Sequence, residues 1–326
     1  MGRIDIDIRN RDFSNFYLIY GNEEFRKQTY KNKLIANLVS PDDEMNLSKF
    51  DGKDIDVEAV VSLAETMPFF AEARVICIQD SGWFKGKSVF EDRAAEFPKS
   101  TVFIFVEENV SEKSPMFKFI KDRGVCEEVR SMNEVELVNT VQAYFRSKNK
   151  MISAFNASYF VQTVGCDMAN VQSELYKLTA YCADKQEVTK EDIDEICHPV
   201  LETKVYALVD KIIDGKREES LKLYGNMLEE QEDVKSVLGY IISSYSQLYM
   251  TARLADEGSS ADEIVREVRM RDFVAKKYLR IVKKKSTDDI RRSYEFALDL
   301  DRKCKSGLMN FQMAVEIFII KNTTAQ

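Results

Sequence analysis

Phe16-Tyr-Leu-Ile-Tyr-Gly-Asn-Glu-Glu-Phe-Arg-Lys-Gln28 decides the fold: five β-forming residues run into a glycine and then into a helical stretch. A short apolar run that turns at Gly21 and opens a helix reaching about Val39 is the start of a βαβ unit. Two later runs share its character, Arg74-Val-Ile-Cys-Ile-Gln79 and Thr101-Val-Phe-Ile-Phe-Val106. Strands that are apolar without interruption are usually buried on both faces of a parallel sheet. Residues 46–50 and 125–129 complete a predicted set of five strands. Residues 56–66 fill one crossover, with Val57, Val60, Val61 and Ala64 on one helical face. Right-handed crossovers between such strands give a doubly wound α/β domain.

After about residue 131 the strand signals stop. Helices are expected over 134–148, 154–164, 167–181 and 189–197, and then over 205–214, 218–229, 234–254, 261–267, 273–282, 288–300 and 308–320. Gly165 is placed to end one helix, Asp167 to cap the next, and Thr189-Lys-Glu-Asp192 fits a capping box. The fold class is thus α/β plus all-α. The expected boundaries are an α/β domain at 1–131, a small helical domain at 132–203 and a helical C-terminal domain at 204–326.

With 326 residues, 31% charged and 44% hydrophobic, and only 5 Pro and 12 Gly, the composition is that of a helix-rich globular chain. No apolar run approaches the roughly 20 residues of a membrane span, and residues 1–11 lack the apolar core of a signal peptide. Six scattered cysteines without a C-x-x-C pair point to buried, reduced thiols and a cytoplasmic protein. The lone histidine, His198, sits before Pro199 at a helix end; it excludes a His-based zinc cluster and a Ser-His-Asp triad of the usual kind. The net charge of −8 argues against a protein that coats nucleic acid with its whole surface. Residues 266–285 nevertheless hold nine Lys and Arg against two acids, and Tyr278 lies among them. Lys276, Lys277, Lys283, Lys284, Lys303 and Lys305 are candidate phosphate contacts, the alternatives being a solvated helix face or a face toward an acidic neighbour.

The turn after the first strand carries the chemical information. A phosphate-binding loop reads G-x-x-x-x-G-K-[ST]: glycines bring backbone N–H groups onto phosphate, Lys neutralises charge and a hydroxyl holds Mg²⁺. Here the eight residues are Gly21-Asn-Glu-Glu-Phe-Arg-Lys-Gln28. Gly21 and Lys27 keep the spacing, but Arg26 replaces the second glycine and Gln28 the hydroxyl. Glu23 and Glu24 would repel a triphosphate. Asp80, Glu107 and Glu108 follow strands where a metal-holding acid would stand, and they are read as surface acids with no metal to share. The reading is a nucleotide-binding fold that has lost its nucleotide, with no cofactor, no metal and no catalytic residue.

One loop stands out. Ala64-Glu-Thr-Met-Pro-Phe-Phe-Ala71 places Met67, Phe69 and Phe70 between a helix and a buried strand, and Pro68 disfavours helix continuation. Folded back, these side chains would join the core; exposed, they would make an apolar anchor for a partner.

Several stretches together resemble one family. Phe16-Tyr-Leu-Ile-Tyr-Gly-Asn-Glu-Glu-Phe25 is similar to the opening of the delta subunit of the bacterial DNA polymerase III clamp loader. Thr66-Met-Pro-Phe-Phe-Ala-Glu-Ala-Arg-Val-Ile76, Val164-Gly-Cys-Asp-Met168 with Glu174-Leu-Tyr-Lys-Leu178, Val188-Thr-Lys-Glu-Asp-Ile193 and Lys305-Ser-Gly307 resemble its later landmarks in order. The resemblance implies an AAA+-like module without ATPase activity, a lid domain and a helical collar joining five subunits. It implies a protein that binds the sliding clamp (beta) and opens or holds open its ring, with Met67, Phe69 and Phe70 at the contact. The implied partners are gamma/tau ATPases, delta-prime and primed DNA. The alternatives are a nucleotide-binding AAA+ ATPase and the delta-prime subunit, whose Ser-Arg-Cys finger does not occur in this chain.

Overall fold

Five strands form one parallel sheet in the order β2-β3-β4-β1-β5: β1 (Phe16–Tyr20), β2 (Leu47–Asp51), β3 (Arg74–Gln79), β4 (Thr101–Glu107) and β5 (Val125–Glu128). β1 lies between β4 and β5, with Phe16 opposite Phe103 and Tyr17 opposite Val125. Successive side chains of a strand point to opposite faces. Leu18, Ile76, Phe103 and Phe105 pack with Val60, Phe90 and Phe117 of α3 (Val57–Ala64), α4 (Phe90–Ala94) and α5 (Pro115–Arg123). Tyr17, Ile19, Val75 and Ile104 pack with Ile4, Leu34 and Ile35 of α1 (Arg3–Asn10) and α2 (Glu24–Leu38). Both faces are covered, which is why β3 and β4 read as unbroken apolar runs. This is a doubly wound α/β arrangement.

This computed structural model describes residues 2–40, 42–86, 90–94, 97–268, 270 and 272–323, without the side chains of residues 91, 92, 272, 273 and 276. The chain divides into two compact units, Met1–Ser131 and Met132–Gln326. The first is the sheet domain.

The second unit is mainly helical. It contains α6 (Glu134–Ser147), α7 (Ala154–Val164), α8 (Met168–Tyr181), α9 (Lys190–Ile196), α10 (Leu201–Ile213), α11 (Arg217–Glu229), α12 (Val234–Asp256), α13 (Ala261–Val268), α14 (Asp272–Ile281), α15 (Thr287–Lys305) and α16 (Phe311–Thr323). Gly165 closes α7, Asp167 caps α8, and Thr189 and Asp192 form the capping box of α9. Helices α6 to α9 share a core around Phe145, Phe160 and Leu178. Another core joins α10, α11, α12, α15 and α16 around Leu208, Ile241, Leu300 and Phe318. A third links α12, α13, α14 and α15 through Leu248, Ile264, Tyr278 and Ile290.

Two features were not read from the sequence. Strands do not stop at residue 131: β6 (Met151–Ile152) pairs in parallel with β7 (Glu187–Val188). Two residues are too few for a hydrophobic period to register. Near the N-terminus, Ile4-Asp-Ile-Asp-Ile8 alternates like a strand yet forms α1, because Ile4 enters the sheet core and buried Asp7 accepts bonds from Tyr17 Oη (3.1 Å) and Arg3 Nε (2.9 Å). Among the described residues no helix is long and apolar enough to cross a membrane.

Candidate functional site: a filled phosphate turn and an exposed apolar loop

The turn between β1 and α2 is held on two sides. Gly21 N–H donates to Glu107 O at 3.2 Å and Glu23 N–H to Val129 O at 3.3 Å, tying the turn to the ends of β4 and β5. Gly21 has φ of 125°, and a Cβ there would stand 2.2 Å from Val129 O, so only glycine fits. Glu23 accepts from Arg26 N–H at 3.1 Å, the donor that a bound phosphate would otherwise take.

Lys27 is only 2% exposed. Its ammonium lies 2.9 Å from Glu24 Oε2 and donates to Glu107 O at 3.3 Å. Gln28 Nε2 donates to Glu24 Oε1 at 2.6 Å and to Gln79 Oε1 at 3.2 Å, while Arg26 reaches Arg130 O at 3.2 Å. Burial works against ionisation of Glu24, but the bonds from Gln28 and Lys27 and the charges of Lys27 and Lys31 outweigh it and hold its carboxyl below the ordinary value. Gly21, Arg26, Lys27 and Gln28 are therefore brought together, with Glu23 bonded to the Arg26 N–H and Glu24 paired with the Lys27 ammonium.

Glu107 corrects the reading of a surface acid: it is buried at the end of β4. Its carboxylate accepts from Ser81 N–H at 2.9 Å and from Gly82 N–H at 3.4 Å. Burial nevertheless pushes its carboxyl above the ordinary value. Among the described residues no cluster of three or more His, Cys, Asp or Glu side chains could hold a metal ion, and His198 is exposed.

The apolar loop takes the exposed alternative. Met67 is 74% exposed, Phe69 54% and Phe70 95%. The two rings meet edge to face, with centroids 4.6 Å apart. Phe70 has φ of 48°, an uncommon conformation for a bulky side chain. The backbone beneath is fixed by two buried polar side chains that sequence reasoning missed. Asn46, just before β2, accepts from Phe69 N–H at 2.6 Å and donates to Phe69 O at 2.9 Å. Arg74, the first residue of β3, donates to Met67 O at 3.2 Å and to Met45 O at 3.3 Å. Asp43 holds Asn46 in turn, accepting from its backbone N–H and from Nδ2, each at 2.9 Å. Those bonds hold the Asp43 carboxyl below its ordinary value. A polar residue ahead of a strand has no periodic signature, so only the three-dimensional neighbourhood reveals Asn46.

The candidate phosphate contacts do not form one group. Lys277 pairs with Asp210. Lys303 pairs with Asp299 at 2.8 Å and Lys305 with Asp301 at 2.7 Å, both one helical turn apart on α15. The side chain of Lys276 lies outside the described residues. Lys283 and Lys284 are exposed. Lys284 lines a cavity of about 770 Å³ with Lys285, Arg292 and Lys321, and with the acids Asp214 and Asp289.

Residues 17–129 match the family model described as DNA polymerase III, delta subunit, and residues 202–322 match that of the DNA polymerase III delta subunit, C-terminal domain. A similar curated protein is DNA polymerase III subunit delta of Bacillus subtilis, 22% identical over 318 residues, covering 94% of this chain and 92% of the relative. A probable DNA polymerase III subunit delta of Aquifex aeolicus is 20% identical over 335 residues, covering 94% and 93%. Among solved structures, the Bacillus subtilis DNA clamp loader delta protein superposes with a TM-score of 0.74 at 21% identity, covering 99% of both chains. That likeness is one of fold.

Proposed function

The chain belongs to the DNA polymerase III delta-subunit family, and from that membership we propose that it binds the sliding clamp and holds one interface of the ring open during loading onto primed DNA. The observation that supports this reading is the loop of Met67, Phe69 and Phe70, three large apolar side chains kept in water on a fixed backbone. Such a group buries favourably only in a partner's pocket. Binding energy that favours a distorted clamp over the closed one shifts the ring toward the open state. We assign residues 132–203 to a lid and 204–326 to a collar that meets gamma/tau ATPases and delta-prime in a hetero-pentamer. The test is surface plasmon resonance with the purified chain over the sliding clamp of the same organism. Micromolar or tighter binding supports the reading, and no binding at tens of micromolar, on the order of −6 kcal/mol or weaker, rejects it.

This subunit has no ATPase activity of its own in the proposed function. Arg26 N–H and the Lys27 ammonium are already occupied by Glu23 and Glu24, so a triphosphate would have to displace bonds that the chain makes to itself. Isothermal calorimetry with Mg-ATP is expected to give no heat of binding at millimolar nucleotide. A saturable micromolar isotherm would instead favour a nucleotide-binding member of the fold.

DNA contact, where it occurs, is assigned to Lys283 and Lys284, the two candidates that are exposed and make no ion pair among the described residues. Phosphate contacts carry no sequence information, which suits a loader that must accept any primed site. Charge reversal of both in the assembled loader is expected to flatten the slope of log K against log salt by about 2, roughly 0.9 per phosphate lost. An unchanged slope in a filter-binding titration removes these lysines from the interface.

A further inference from the structure

The apolar loop has no regular secondary structure between α3 and β3, yet its backbone is fixed. A loop carrying exposed aromatic side chains would ordinarily sample many conformations, and ordering it at the moment of binding would weaken the complex. Here the order is supplied in advance by two side chains, and at Phe69 by Asn46. The Asn46 amide pairs with both backbone groups of Phe69, as a neighbouring strand would. Asn46 is 2% exposed. A buried amide is costly unless bonded. Its bonds are spent on Asp43 and on the loop, while the backbone carbonyl of Asn46 accepts from Val75 N–H at 2.8 Å and so joins it to the sheet. The support is therefore continuous from β3 through Asn46 to the ring-bearing residues.

We propose that Asn46 is a positioning residue for clamp binding: it presets the Phe69–Phe70 backbone so that both rings enter the partner without a prior ordering step. Arg74 plays the same part for Met67. Met45, 59% exposed and held through its carbonyl by the same guanidinium, extends the presented surface. This inference rests on the clamp-binding reading above.

The experiment compares wild type, Asn46→Ala, Asn46→Asp and Val60→Ala in clamp affinity, thermal midpoint and hydrogen exchange at the Phe69 amide, all well below melting. Val60 is a buried core residue of α3 remote in role from the loop, so Val60→Ala supplies a matched loss of stability. Asn46→Ala is expected to raise Kd about tenfold, consistent with the cost of immobilising interface side chains, and to speed exchange at Phe69. Asn46→Asp keeps the volume and the acceptor for Phe69 N–H but loses the donor and faces Asp43, so its Kd should exceed that of wild type, an outcome that can be read even if Asn46→Ala does not fold. Val60→Ala should lower the thermal midpoint and leave clamp affinity and exchange at Phe69 unchanged. In a Phe70→Ala background the Asn46 substitution should cost much less than tenfold, because the ring it positions is gone. Wild-type affinity in both Asn46 variants, or the full loss repeated in the Phe70→Ala background, overturns the positioning role alone. Failure of the wild-type chain to bind the clamp overturns the reading on which it rests.

Discussion

Replacing Phe69 and Phe70 together by alanine is expected to weaken clamp binding by about 100- to 10,000-fold while moving the melting temperature by no more than about 2 °C. Burying an aromatic side chain in a partner is worth on the order of 1.5–3 kcal/mol, and each 1.4 kcal/mol is tenfold in affinity. The two effects separate because the rings are 54% and 95% exposed in the free chain, so their removal takes little from its core. Core aromatics behave in the opposite way: truncating one costs about 3–5 kcal/mol of stability. The same pair of measurements on Phe103→Ala, at the centre of the sheet core, gives that contrasting pattern. Calorimetry and surface plasmon resonance on the three proteins decide the matter. A double variant that binds like wild type would remove Phe69 and Phe70 from the interface, and one that melts early would give them a part in stability.

Gly21→Ala is expected to destabilise the sheet domain by about 2–6 kcal/mol, a large part of the 5–15 kcal/mol that holds a typical domain together. Two penalties add. A φ of 125° is a conformation that L side chains rarely adopt, and the new methyl would lie 2.2 Å from a backbone oxygen fixed at the end of β5. Gly52 separates them: its φ is 90° but nothing lies within 4 Å of a built Cβ, so Gly52→Ala carries strain without collision and should cost less. Chemical denaturation of both variants checks the order. Equal losses would mean that the contact between the turn and Val129 relaxes without cost.

The sheet was legible because burial on both faces leaves a signal that no other strand environment gives, as in the runs at β3 and β4. The one-faced apolar residues of α3 and the caps at Asp167 and Thr189 were equally plain. The degenerate turn was legible as a loss, through Arg26 and Gln28, but not as a replacement. That Glu23 and Glu24 bond the Arg26 N–H and the Lys27 ammonium depends on the side-chain directions at the start of α2, which spacing does not encode. The exposure of Phe69 and Phe70 was undetermined for a related reason. Whether a loop aromatic turns inward is settled by partners distant in sequence, here Asn46 at a separation of 23 residues. The lysine-rich segment was legible as charge but not as availability, since Lys277, Lys303 and Lys305 are each matched by an aspartate one turn away or across a helix pair.

The carboxylates at the start of α2 also have a thermodynamic consequence. A nucleotide that neutralises a helix start stabilises its protein by mass action, so stability rises and falls with the concentration of free ligand. Glu23 and Glu24 are part of the chain, and a covalently attached counter-charge can be neither diluted nor competed away. On the proposed reading that this turn takes no nucleotide, its contribution to folding is the same in a cell rich in ATP and in one depleted of it. The apolar loop, carried on the same sheet, stays presented through both conditions.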